Sequence, residues 1–237
     1  MNEKANEYSW FPLIVVACAS FIIVLDSFFM NVSISRIVVD LNADVSTIQM
    51  IVSFCTLITA ALILFSTKLQ DIVGKKKLFV IGAALFGIGI FAAVLSSSVT
   101  MFFVGWSAIK GVAAALMLPA IVSIISGIYS GRKRTIALAT LGVMAGLADI
   151  LAPLLGGLIT TFFSWRYTFA FELIFILFIL VMQNKIPDFK PTESKSDLDI
   201  IGAILSCICL LLLVLGILTL TNDVATSIIE IILGLIV

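Results

Sequence analysis

No histidine occurs in the 237 residues, and only 12% of them are Asp, Glu, Lys or Arg. The first absence removes whole classes of chemistry: zinc sites of the His-Glu-x-x-His kind, Ser-His and Cys-His nucleophile pairs, and haem held by histidine. The scarcity of charge excludes an ordinary water-soluble domain, which carries about 25% charged residues. Lys and Arg (14) balance Asp and Glu (14), so the chain lacks the basic excess used in nucleic-acid binding. Cysteine is sparse too. Cys18, Cys55, Cys207 and Cys209 each sit in an apolar run and read as apolar filler, not as a disulfide framework. This inventory leads us to expect no cofactor and no metal.

What the chain has in excess is apolar side chain, at 62%. One compact soluble core of this length cannot hide so much, so the surplus calls for lipid as a second apolar phase. A spanning helix takes about 20 mostly apolar residues. Seven complete runs are read near Phe11–Val32, Thr47–Ser66, Leu78–Ser97, Met101–Ile128, Ile136–Phe163, Thr168–Met182 and Ile200–Leu220, and an eighth, Ser227–Val237, is partial. The fold class that follows is an all-α polytopic membrane protein. The first run is too long for a signal-peptide core and is taken as a retained span.

Basic residues orient these spans, because loops rich in Lys and Arg stay in the cytoplasm. Lys68, Lys75, Lys76 and Lys77 follow span two; Arg132, Lys133 and Arg134 follow span four; Lys185, Lys190 and Lys195 follow span six. Against these ten, the opposite loops hold only Arg36 and Arg166. The expected layout is a cytoplasmic N-terminus (1–10), a six-span bundle (11–184), a cytoplasmic linker (185–199) and the further spans (200–237), in the cell membrane. The linker, KIPDFKPTESKSDLD, holds Pro187 and Pro191 among mixed charges.

Four ionisable residues lie inside the complete runs: Asp26, Lys110, Asp149 and Glu172. A charge at the bilayer centre costs about 2.5–3.5 kcal/mol on insertion scales, so such residues face a cavity or a partner. Helical rise places Asp26, Lys110 and Asp149 at depths from which all three could line one cavity. Glu172 lies nearer the outer end of its span, from where it could reach the interface. Lys110 could form a static pair with Asp149 or Asp26 that only ties helices together. Three carboxylates cannot all be neutralised by one ammonium, however. At least one is left protonated or open to a cation, as a proton-coupled site requires.

Several segments then form a pattern. Leu25 to Val32, LDSFFMNV, resembles the span-one signature L-D-x-T-x-x-N-V of the drug:proton antiporters of the major facilitator superfamily. TKLQDIVGKKK, Thr67 to Lys77, is similar to the loop-two motif G-x-L-x-D-R-x-G-R-[KR]. SAIKGVAAALMLPA, Ser107 to Ala120, resembles the span-four motif R-x-x-Q-G-x-G-A-A followed by P-A. APLLGG (Ala152 to Gly157) and WRYTF (Trp165 to Phe169) resemble G-P-x-x-G-G and W-R-W-x-F. LDIIGA, Leu198 to Ala203, looks like the opening of the first extra helix in the fourteen-span branch. The chain departs from these motifs at Phe28, Thr67, Ile72, Ser107, Lys110, Ala113 and Ala152. Ser107 stands where relatives carry an arginine tied to proton handling, and Lys110, three residues on, supplies a positive charge on a nearby helix face.

The resemblance implies a major-facilitator-type N-terminal six-helix bundle plus one complete and one partial extra transmembrane helix. It implies proton-coupled export of small amphipathic or cationic molecules by alternating access, with protons and a small-molecule substrate as partners. Asp26, Asn31, Lys110, Asp149 and Glu172 become the coupling and substrate candidates, with Phe28, Phe29 and Trp106 as apolar contacts. Asp71, Gly74, Lys75 and Lys76 form a gating loop, where Gly74 permits a tight turn. Pro153, Gly156 and Gly157 form a hinge and seal helix with a small-residue face. Because the chain stops inside the eighth run, a truncated non-transporting product is the competing expectation. So is a half-transporter completed by a C-terminal half or by a homo-dimer partner. An intramembrane protease is disfavoured, since Asp149 follows Gly146, Leu147 and Ala148 instead of a G-x-G-D element.

Overall fold

In the computed structural model the described residues are 9–189 and 191, with scattered helical positions at 205, 208–210, 212–213, 216, 228–229 and 232–234. Most of the linker and of the seventh and eighth runs, like residues 1–8, lies outside the described residues. Among the described residues six helices are long and apolar enough to cross a membrane: α1 (Phe11–Asp40), α2 (Val45–Val73), α3 (Lys75–Val94), α4 (Val99–Ile128), α5 (Gly131–Phe162) and α6 (Trp165–Met182), the last continued by a short 3₁₀ turn, Gln183–Lys185. These match the six runs of the expected bundle. Several helices outrun their apolar stretches, notably α1, α2 and the start of α5, so Arg36 and Asp40 lie on α1 and not in a loop.

Local chemistry accounts for the breaks. Pro12 sits in the first turn of α1, where its missing N–H costs nothing. A single glycine, Gly74, joins α2 to α3 at φ 102°, and a Cβ there would come within 3.2 Å of the Phe189 carbonyl oxygen. Ser98 and Ser164 cap α4 and α6 by accepting from the N–H groups of Met101 and Arg166.

Packing is uneven. The most apolar stretches of α1 and α4 are each 61% buried, against 28% for α2 and 17% for α5, so α1 and α4 form the centre. Lipid offers no hydrophobic drive for helix association, and close packing of small residues takes its place. At Gly89 of α3 an added Cβ would stand 2.8 Å from the Gly105 carbonyl oxygen of α4; at Gly105 it would stand 2.9 Å from Ala92 and Ala93. Beside this contact α4 widens into a π-helical segment, Phe103–Ile109, ending immediately before Lys110. The buried face of α5 is a stripe of mostly small residues, Ala137, Leu141, Ala148, Ala152, Gly156 and Thr160.

The two ends differ. At one, Trp10 stacks on Tyr129, Lys76 pairs with Asp188 at 3.0 Å and Lys75 lies over the Phe189 ring, so the start of α1, the α2–α3 turn, the end of α4 and the exit of α6 meet. At the other, Arg166 binds Asp40 and donates to the Ser96 carbonyl at 2.6 Å.

Candidate functional site

Asp26, midway along α1, is 1% exposed. Its Oδ2 forms an ion pair with the Lys110 ammonium of α4, and its Oδ1 accepts from the Trp106 indole N–H at 2.9 Å. The Lys110 nitrogen also lies 3.6 Å from the centroid of the Trp106 ring, a cation–π contact. Trp106, inside the π segment, and Lys110, which follows it, thus bind the two oxygens of one carboxylate.

Glu172 of α6 completes the group. It is fully buried, within hydrogen-bonding reach of Asp26, yet neither of its oxygens has a hydrogen-bond donor. The expectation that it reaches the interface is therefore corrected. Beyond it toward the end of the bundle lies an aromatic layer: Phe102 packs on Trp106 (6.1 Å between centroids), Trp165 (5.5 Å) and Phe169 (6.4 Å). Glu172 shares the buried face of α6 with Trp165, Phe169 and Ile176, which turns it into the bundle despite its place only about 10 Å along α6 from Trp165.

A cavity of about 440 Å³ opens beside this group, walled by α1, α2 and α4. Asp26 and Asn31 from α1, Cys55 and Thr59 from α2, and Trp106 and Lys110 from α4 line it. Thr59 donates to the carbonyls of Cys55 and Gly111, tying α2 to α4 at the cavity floor. The lining mixes apolar surface with a few convergent polar groups, as small-molecule sites do.

Other candidates are placed elsewhere. Asp149 is exposed and does not line the cavity, which corrects the shared-cavity expectation. It follows Ala148, a member of the buried stripe of α5, and one residue of helix turns it about 100° away from that face. Of the hinge residues, Gly156 is buried, with a virtual Cβ 3.1 Å from Phe29; Pro153 is exposed and Gly157 has open space. Helix α5 runs unbroken through Pro153. Phe29 is core and Phe28 is half-buried. Asp71 ends α2 beside Gly74, while Lys75 and Lys76 engage Phe189 and Asp188.

Sequence reasoning missed Trp106 as a donor to Asp26, the π segment, and the Asp40–Arg166 pair. A tryptophan one helical turn before a buried lysine was the available signal for the first. The π segment, which holds the Gly105 side of the close contact with Gly89, left none.

Comparison with known proteins bears on what this arrangement serves. The riboflavin transporter RibZ of Clostridioides difficile is 27% identical over 208 residues, 87% of this chain and 45% of that protein. The cephamycin export protein CmcT of Amycolatopsis lactamdurans is 31% identical over 209 residues, 86% of this chain and 43% of that one. The chain thus spans less than half the length of these relatives. A crystal structure of the peptide transporter POT in complex with sulfate superposes with a TM-score of 0.71 at 19% identity, covering 95% of this chain and 50% of that one, and so shares the fold. The sequence model of the Major Facilitator Superfamily matches residues 16–199. With six apolar membrane-length helices and a match over most of its length, the chain is a multi-pass membrane protein belonging to the Major Facilitator Superfamily, a family of transporters and not of enzymes.

Proposed function

We propose that the chain supplies one bundle of a proton-coupled exporter of small amphipathic or cationic molecules, working by alternating access in the cell membrane. The observation that carries this reading is the buried group Asp26–Lys110–Glu172 beside an open cavity of about 440 Å³. Two carboxylates facing one ammonium leave a site whose charge changes with one proton, and that change can be traded against a cationic substrate. The cephamycin export protein among the relatives supports export. In this reading a second bundle closes the cavity from the exposed faces of α2 and α5, residues 185–199 link this bundle to the further spans, and rocking about the site alternates its access. The basic loops support a cytoplasmic N-terminus.

The test uses the chain joined to a second bundle, in proteoliposomes with ethidium as probe and an imposed pH gradient. Ethidium accumulation that an ionophore collapses is expected. Accumulation indifferent to the gradient rejects proton coupling. No accumulation favours the second reading, a half-transporter or fragment without activity of its own, which rests on the chain's 45% share of RibZ.

A further inference from the structure

Asp26 already receives a donor at each oxygen, Lys110 at Oδ2 and Trp106 at Oδ1. Glu172, facing it within hydrogen-bonding reach, receives none at either oxygen and is 0% exposed. Two ionised carboxylates cannot bond each other, and a buried charge without a donor is among the costliest states a side chain can occupy. One proton solves both problems. It removes the extra charge and turns one Glu172 oxygen into a donor toward Asp26.

We propose that Asp26 and Glu172 form a carboxylic acid–carboxylate pair that binds a single proton, held on Glu172, with Lys110 as its fixed counter-ion. Cys55 of α2 lies beside Lys110, α3 contributes the uncharged Phe86 ring 5.9 Å from the ammonium, and Asp149 of α5 is exposed and does not line the cavity. The described neighbours thus supply one cation for two carboxylates, and the retained proton makes the group neutral.

Glu172 does not line the cavity, whereas Asp26 does. Release therefore proceeds in two transfers. The Oε–H bond of Glu172 breaks as an O–H bond forms on Asp26, and the proton then passes from Asp26 to water in the cavity. The group is left with one net negative charge. Asp26 becomes the gate and Glu172 the store, which differs from a site with one titrating carboxylate. The use of this store in transport rests on the exporter reading; its occupancy by a proton does not.

Infrared spectroscopy of the purified chain in lipid nanodiscs at neutral pH reads the proton directly, through the carbonyl stretch of a protonated carboxylic acid and its shift in D₂O. Wild type should show one such band, and Glu172→Gln should lose it. Asp26→Asn should lose it as well, because Glu172 then ionises to pair with Lys110. Lys110→Gln should raise it about twofold, both carboxyls now being neutral. Absence of the band in wild type, or its persistence in Glu172→Gln, overturns the proposal, and the wild-type spectrum decides even where a variant fails to fold. A band present in protein that moves no ethidium sinks the exporter reading alone. Gradient-driven transport without the band sinks the proton store alone.

Discussion

The bundle contains the same three-part arrangement twice. In the interior, Asp26 binds Lys110, accepts from the Trp106 indole, and the cation lies over that indole ring. At one end, Asp40 binds Arg166, accepts from the Trp165 indole at 3.1 Å, and the guanidinium lies 4.5 Å over that ring. Their surroundings separate them. The side chains of Lys110 and Asp26 are 5% and 1% exposed, those of Arg166 and Asp40 30% and 43%. The inner set has an additional carboxylate, Glu172, and borders the cavity. Like parts therefore serve unlike ends: the outer set, saturated by the Ser96 carbonyl, fastens α1, α6 and the α3–α4 connection, while the inner set holds one carboxylate more than its cation can match.

The contrast can be broken from its strongest side first. Lys110→Gln leaves two buried carboxylates without a cation and should cost about 3–5 kcal/mol, the range for breaking a buried pair. Thermal unfolding in detergent measures it, and lowering the pH should restore part of the loss, because the unfolded chain then gains less by ionising the two acids. Next, Gly89→Val drives a side chain into the Gly105 carbonyl and the Lys110 backbone. Overpacking of this kind costs about 1–3 kcal/mol; because it displaces Trp106 as well, tryptophan emission should shift along with the melting temperature. Smallest is Arg166→Gln, expected at about 1 kcal/mol or less and to shrink further in high salt, as exposed ion pairs do. A loss as large as that of Lys110→Gln would erase the distinction between the two sets.

How far the sequence carries depends on the kind of information. The six spans were legible because lipid imposes one length and one composition on every crossing helix. Lys110 and Asp26 stood out for the same reason, as costly exceptions in apolar runs. Glu172 was visible too, but its position along α6 suggested the interface; the Phe102–Trp165–Phe169 layer near it joins two helices, α4 and α6, and has no local signature. Asp149 failed in the opposite way. Depth along a helix is linear in sequence, whereas rotation about its axis is decided by which stripe packs, and Ala148 rather than Asp149 belongs to the stripe of α5.

That aromatic layer separates the two charged sets. Phe102 and Phe169 carry no exchangeable proton, and the N–H groups of Trp106 and Trp165 are each committed to a carboxylate on their own side. The layer behaves as a thin dielectric between two charged plates. A membrane voltage is worth about 2.3 kcal/mol per unit charge per 100 mV over the full thickness, and the share that falls across these rings is felt whenever the inner set changes charge. The rings near Glu172 thereby give its proton an electrical as well as a chemical address.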